Sequence, residues 1–363
     1  LVLEAMEPYY HSNFGNPSSN HALGKFNRQA IDIAREQVAG LMNCKSTELI
    51  FTSGGSESNN MAIKGIASRQ LHRGQHIIVS KIEHPAILRV ANFLEHRGFR
   101  VSYLPANNEG VVESSHLEEI ITSKTILVSV MHANNEIGSI QPISELAEIA
   151  HNANAVFHTD AAQSMAKIPT DVDDLGCDLL SLAGHKMYAP KGVGALYIRE
   201  GTDIEPLIHG ADHEGGMRAG TENVAQIVGL GMAAELASQK MNDEMIRLRN
   251  LRDRLQASLK QAFPKIRVNA VGTERLPNTL SISFSELNAL DILAELDTVL
   301  VSAGAACHSS DGKGSGVLEA MNVPLQYQLG TIRLSLGRFC EESDVHHASD
   351  ILIKRIQALL DKQ

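Results

Sequence analysis

Two short segments of this chain carry side chains suited to covalent chemistry. His158-Thr159-Asp160-Ala161-Ala162-Gln163-Ser164 and Ala183-Gly184-His185-Lys186-Met187-Tyr188 each begin where an apolar run ends. In open α/β sheets ligands bind at the carboxyl ends of strands, which makes Asp160, His185 and Lys186 candidate site residues. A carboxylate in such a place needs a cationic partner or several donors. A structural Asp160–Lys186 ion pair, or two separately solvated groups, fits the pattern equally well.

A third segment, Ser53-Gly54-Gly55-Ser56-Glu57-Ser58-Asn59, lies between a strand-like and a helix-like run. Small residues there, Gly55 and Ser56 among them, let backbone N–H groups approach an anion, and a helix N-terminus adds partial positive charge. An ordinary N-cap by Ser56 or Ser58 explains the serines as well. No Gly-Lys-Ser/Thr follows, so this is not a Walker loop. Asp311-Gly312-Lys313-Gly314-Ser315-Gly316 imitates one, but Gly314 takes the Ser/Thr position and no strand leads in; a flexible glycine-rich loop is the better reading. ATP or GTP hydrolysis is therefore disfavoured.

A pyridoxal phosphate site uses all of these pieces. A lysine forms the Schiff base with the aldehyde, and an aspartate keeps the pyridine nitrogen protonated so that the ring acts as an electron sink. Ser56 and His185 would supply a phosphate cup. His84, in Glu83-His84-Pro85-Ala86, is placed to stack on the ring, although capping or surface exposure is the commoner fate of a lone histidine. Cys307 sits in the small-residue run Ser302–Gly316, expected to be an exposed, mobile loop. An exposed thiol beside His308 could become a thiolate, the reactive form. Cys44, Cys177 and Cys340 have apolar neighbours and read as inert core residues. His209/His213 and His346/His347 lack the setting of a metal site, and no metal is expected.

These residues need a scaffold of alternating strands and helices. Strands are expected at Glu48–Thr52, His76–Val79, Val101–Leu104, Thr125–Met131, Ala155–His158, Leu179–Leu182 and Gly194–Ile198, with helices such as Asn59–Leu71 and Ile143–Asn152 between them. This alternation favours a largely parallel α/β sheet. Asn223–Phe263 reads as one long helical stretch, and its charge-rich part, Lys240–Arg254, as a solvated face. Beyond Pro264, strands at Ile266–Val268, Leu280–Phe284, Thr298–Val301 and Thr331–Leu336 mix with helices at Ala289–Leu296 and Asp344–Leu360. The expected division is a large domain over 1–240 and a smaller α+β domain over 241–363.

Composition narrows the function classes. With 363 residues, 43% apolar and 20% charged, the chain is an ordinary globular one rather than a disordered one. A net charge of −10 argues against broad nucleic-acid or anionic-membrane binding. With no Trp, 6 Tyr and 9 Phe, aromatic stacking is not the main binding device. Four cysteines without a close pair point to a reducing compartment, and no apolar run approaches the roughly 18–20 residues of a membrane span.

The combined segments resemble the cysteine desulfurases and selenocysteine lyases of the class V aminotransferase group. The likeness runs through Phe14–Ser19, Phe51–Ser58, His132–Gly138, His158–Ser164, Gly184–Lys186, Met217–Asn223, Ala305–Ser309 and Arg333–Arg338. It implies a fold type I, aspartate aminotransferase-like PLP enzyme. By position it implies Lys186 as the Schiff-base lysine, Asp160 on the pyridine nitrogen, and Gln163 on the ring hydroxyl. His84 would stack on the ring and is a candidate to move protons. Gly55, Ser56 and His185 would hold the phosphate, with Thr221 reaching it from the other subunit of a homodimer. Asn135 and Arg333 would orient the substrate, Arg333 binding its carboxylate in a fork. Cys307 would be the nucleophile that takes sulfur or selenium and passes it to an acceptor protein. Ala183 stands where desulfurases usually carry a phosphate-binding serine. The family's usual N-terminal strand is missing before Leu1, which implies a longer parent chain. Ala306-Cys307-His308-Ser309 looks more like the selenocysteine lyases, whereas His132–Gly138 leans to the desulfurases. The expectation is thus a cytoplasmic enzyme that converts L-cysteine to L-alanine, with L-selenocysteine lyase, plain transamination and an inactive sulfur-carrier scaffold as alternatives.

Overall fold

The computed structural model describes residues 1–303 and 314–362. The chain divides into two compact units, one of residues 1–104, 114–132 and 142–241, the other of 105–113, 133–141 and 242–363.

The first unit is built on seven strands: β1 (Leu49–Thr52), β2 (His76–Ser80), β3 (Arg100–Leu104), β4 (Thr125–Ser129), β5 (Val156–Asp160), β6 (Leu179–Ala183) and β7 (Gly194–Ile198). Their order is β1-β7-β6-β5-β4-β2-β3. The ladders from β3 to β6 are parallel, and β7 is antiparallel to both of its neighbours. Runs such as Ile77-Ile78-Val79 and Ile126-Leu127-Val128 are wholly buried, as expected of strands covered on both faces. The strand β5 runs two residues further than the expected Ala155–His158, through the polar Thr159 and Asp160. Asp160 does not follow the strand but ends it, paired in register with Ser181 of β6.

Between β4 and β6 the interior carries a polar bridge. His158 Nδ1 and Ser129 Oγ are 2.8 Å apart, and His158 Nε2 and Ser181 Oγ 3.0 Å. Burial holds this imidazole neutral, with its pKa pushed down to about 3. The bridge fixes β5 sideways one turn of pleat before Asp160.

In the second unit β8 (Arg267–Val268), β9 (Thr279–Ser283) and β10 (Thr331–Ser335) form an antiparallel sheet in the order β10-β9-β8. Leu280, Ile282, Ile332 and Leu334 pack with Leu352 and Ile356 of the Glu342–Leu360 helix. Thr298–Val301 is not a strand. Val299 and Val301 are half-buried against the core and Leu300 is 92% exposed, and among the described residues of this stretch pairing begins at Ser302, which exchanges two backbone hydrogen bonds with Arg333. The long helix is Val224–Ala262. Its charged part is not wholly solvated. Leu248, Leu251, Leu255 and Leu259 are buried, and so is Arg252, whose guanidinium donates to Leu276 O at 2.8 Å and to Asp253 Oδ1.

Candidate functional site

Asp160 is buried at the carboxyl end of β5, and both of its oxygens accept hydrogen bonds. Asn59 Nδ2 donates to Oδ2 at 2.7 Å and the Ala162 N–H donates to Oδ1 at 2.9 Å. Burial raises its pKa, while these two donors and the nearby His84 and Lys186 pull the other way. A buried carboxylate with donors on both oxygens, and only partial cationic compensation, is suited to receive one more cationic N–H.

Lys186 sits in the short 3-10 turn Gly184–Met187 that follows β6, closed by Tyr188 in the left-handed region at φ 67°. Its ammonium acts electrostatically on Asp160, His84, His185 and Lys167, so the carboxyl ends of β5 and β6 and the turn after β2 converge here. His84 caps the Pro85–Glu95 helix, its Nδ1 accepting from the Ala86 N–H at 3.1 Å. The cap and a stacking role coexist, because the cap uses one ring edge and the ring remains solvent-accessible. Desolvation lowers its pKa; Asp160 opposes the shift and Lys186 adds to it.

The anion cradle lies at the start of the Gly55–Arg69 helix. Neither Ser56 nor Ser58 caps it. The N-cap is Gly54, at φ 145°, with no side-chain cap at all. Ser58 instead points inward, hydrogen-bonded with Thr52 Oγ1 at 2.8 Å and donating to Ala195 O at 3.0 Å. The first N–H groups of the helix and the exposed Ser56 hydroxyl are thus left to an anion. A Cβ at Gly55 would lie 3.2 Å from the Ala183 Cβ, so the glycine keeps the cradle open beside β6. His185 is exposed, and its pKa is lowered by desolvation and by Lys186, Lys191 and Lys167, a cluster of positive charge suited to phosphate. Since Ala183 faces Gly55, Ala183→Ser adds a hydroxyl at the cradle. A hydrogen bond to a charged group contributes about 1.5–3 kcal/mol, so cofactor titration should give a Kd at least roughly tenfold lower. An unchanged Kd would mean that the new hydroxyl does not reach the anion.

Gln163 is half-buried in the loop after β5, and its carbonyl accepts from Lys167 Nζ at 2.6 Å. Thr221 is exposed and lines a cavity of about 250 Å³ with Thr52, Ser53 and Arg218. Sequence reading overlooked Asn59, Glu83 and Lys167. Asn59 is a hundred residues from Asp160, and only the packing of the Gly55–Arg69 helix on the sheet joins them. The half-buried Lys167 has its pKa pushed down to about 7 by desolvation and by Lys186.

In the second unit, Arg333 of β10 donates through its NH1 to the Asn135 carbonyl at 2.6 Å. Its Nε is buried without a hydrogen-bond partner among the described residues, and desolvation lowers its pKa. A half-buried guanidinium with an unused donor is suited to a carboxylate. Cys307 and His308 lie outside the described residues, as do Asp311, Gly312 and Lys313. Cys177 is buried, but Cys44 and Cys340 are only half-buried. Burial pushes the Cys44 and Cys177 thiols up to about 12, which makes both unreactive at neutral pH. His213 Nδ1 accepts from the Gly220 N–H at 3.3 Å, and its Nε2 lies 4.0 Å from Glu222. Among the described residues no group of three or more His, Cys, Asp or Glu is arranged to hold a metal ion.

Taken together, the first unit offers a buried acceptor for a ring N–H, a free-faced imidazole, an amine and an uncapped helix N-terminus, which fit pyridoxal phosphate. Comparison with known proteins agrees. The Aminotransferase class-V family matches residues 1–347. Cysteine desulfurase IscS of Dictyoglomus turgidum is 49% identical over 360 residues, 99% of this chain and 91% of the relative. Among solved structures, a NifS-like protein superposes with a TM-score of 0.92 at 35% identity, covering 98% of this chain and 95% of its own. SspA in complex with cysteine superposes at 0.79 and 37% identity, covering 92% and 94%. The chain belongs to the class-V aminotransferase family and, within it, to the cysteine desulfurases.

Proposed function

We propose that this chain removes sulfur from L-cysteine and releases L-alanine, with the sulfur passing to Cys307. Pyridoxal phosphate, when bound, supplies an electron sink for the amino acid attached to it. Asp160 holds a proton on the ring nitrogen. Gln163 hydrogen-bonds the ring hydroxyl, and His84 covers one face. The N–H groups at Gly55 and Ser56, the Ser56 hydroxyl and His185 hold the phosphate. Lys186 Nζ carries the cofactor at rest, then takes the proton from the substrate α-carbon and returns it. Arg333 binds the substrate carboxylate and Asn135 orients the amino acid. The Cys307 thiolate attacks the substrate sulfur. The S–S bond forms as the C–S bond breaks; the carbon keeps that electron pair, takes up a proton and leaves as alanine. Cys307 is left as a persulfide for an acceptor protein.

The convergence of Lys186, Asp160 and His84 at the strand ends carries this reading. The working form is a homodimer in the cytoplasm, Thr221 reaching the phosphate of the other copy's cofactor. No helix among the described residues is long and apolar enough to cross a membrane.

Incubation with cysteine, followed by product analysis and peptide mass, tests the reading. Alanine and one added sulfur on the Cys307 peptide are expected. Cys307→Ala should lose both while keeping the cofactor's visible absorbance. A keto-acid product with an unmodified peptide would indicate transamination instead. Parallel rates on L-selenocysteine at matched concentration decide the preferred chalcogen.

A further inference from the structure

Glu83 is a buried acid that the reaction above does not use. It is 3% exposed and lies in the turn between β2 and the helix capped by His84. Ser80 Oγ donates to its Oε1 at 2.5 Å, and the Met131 N–H, just past β4, donates to the same oxygen at 2.8 Å. Its Oε2 is buried and has no hydrogen-bond partner among the described residues. Ionised, that oxygen would be a bare buried charge; protonated, it leaves only one neutral O–H unsatisfied, a much smaller cost. Asp160 is the charged group that acts on it, and it is a like charge. The histidines on the adjoining strands bring no compensating cation, because burial holds His158 in β5 and His132 after β4 neutral, and desolvation disfavours the charged form of His84. The two carboxyls at this end of the sheet therefore have opposed environments. Asp160 has donors on both oxygens and the Lys186 ammonium acting on it; Glu83 has both donors on one oxygen, and the charge that acts on it is the like charge of Asp160.

We propose that Glu83 is a positioning residue that stands as a neutral carboxylic acid, tying the turn that carries His84 to the ends of β2 and β4 and leaving Asp160 the one negative charge available to the cofactor ring. The cofactor part of this inference rests on the function proposed above; the protonation part does not. Burial and Asp160 raise the Glu83 pKa to about 8. A proton held more tightly in the fold than in the unfolded chain makes stability fall as pH rises from the unfolded value, roughly 4.3, to the folded one.

The test compares wild type, Glu83→Gln and Glu83→Ala as full-length protein, with and without added pyridoxal phosphate. Gln copies the neutral acid, its oxygen accepting from Ser80 and Met131. The melting-temperature difference, Glu83→Gln minus wild type, should grow by about 3 °C or more between pH 5 and pH 8.5, since 1 kcal/mol corresponds to roughly 2–4 °C in a large domain. Glu83→Gln should keep cofactor absorbance and turnover within about threefold of wild type, whereas Glu83→Ala loses tenfold or more in turnover. A difference that stays flat with pH overturns the neutral acid. A Glu83→Gln protein as impaired as Glu83→Ala shows that an anion is needed, and a Glu83→Ala protein with normal turnover removes the positioning role. Should no variant take up the cofactor, the melting comparison still reads Glu83, so failure of the cofactor assignment is distinguishable.

Discussion

Lys186→Ala protein should be purified colourless and should lose at least about 10³-fold of its turnover on cysteine. In the reaction proposed above the side chain has two functions that no neighbour supplies together: attaching the cofactor and moving a proton at the substrate α-carbon. Proton transfer by a positioned group alone contributes typically 10²–10⁴-fold, and covalent attachment adds to that. Lys167 is the nearby amine, with a pKa pushed down to about 7, but it is committed to the Gln163 carbonyl at 2.6 Å. It therefore cannot reach outward to substitute. Because Lys186 is exposed, its truncation should change fold stability by no more than about 0.5 kcal/mol. Visible absorbance, turnover and the melting curve of the cofactor-free protein check the three parts separately. Retained colour with normal turnover would remove Lys186 from the site.

The candidate site was legible in the sequence where chemistry sits at the end of an apolar run. Asp160 and Lys186 stand out because a charge placed there contradicts the strand before it, and a conflict between local pattern and residue type marks function. The parallel sheet was legible for a related reason: strands buried on both faces read as unbroken apolar runs, and β2, β4 and β6 are such runs. What escaped were the partners that hold those residues. Asn59 lies on a helix, where an amide looks like surface. Glu83 looks like a solvent-facing acid in a turn, and only the pairing of β2 with β4 brings the Met131 N–H to it. Thr298–Val301 failed for the opposite reason. Its β-branched residues have high strand propensity, and Val299 and Val301 do pack on the core, but among the described residues backbone pairing begins only at Ser302. Arg252 shows the same limit within a helix: its charge count reads as solvent, while the Leu276 carbonyl and Asp253 bring it inside.

Asp160→Asn should weaken cofactor binding and turnover together, by about two to four orders of magnitude. Two effects act in the same direction. The first is loss of the counter-charge: removing one partner of a buried ion pair costs about 3–5 kcal/mol, and each 1.36 kcal/mol is a factor of ten. The second is geometric. Asn59 Nδ2 donates to one carboxylate oxygen and the Ala162 N–H to the other. An amide has a single acceptor oxygen, so whichever way it is turned, its own NH₂ faces a donor. That leaves a buried donor unpaired, at about 1–3 kcal/mol. In the cofactor-free protein this loss is partly offset, because burial already disfavours the Asp160 anion. The melting temperature without cofactor should therefore fall less than the change in cofactor affinity implies. The double variant Asp160→Asn with Asn59→Asp separates the two effects: it returns an acceptor to face the new amide but puts the charge on the helix instead of the strand end. Recovery of the cofactor-free melting temperature without recovery of turnover would locate the catalytic requirement in the negative charge at position 160. Recovery of both would show that any carboxylate in that pair can serve the ring nitrogen.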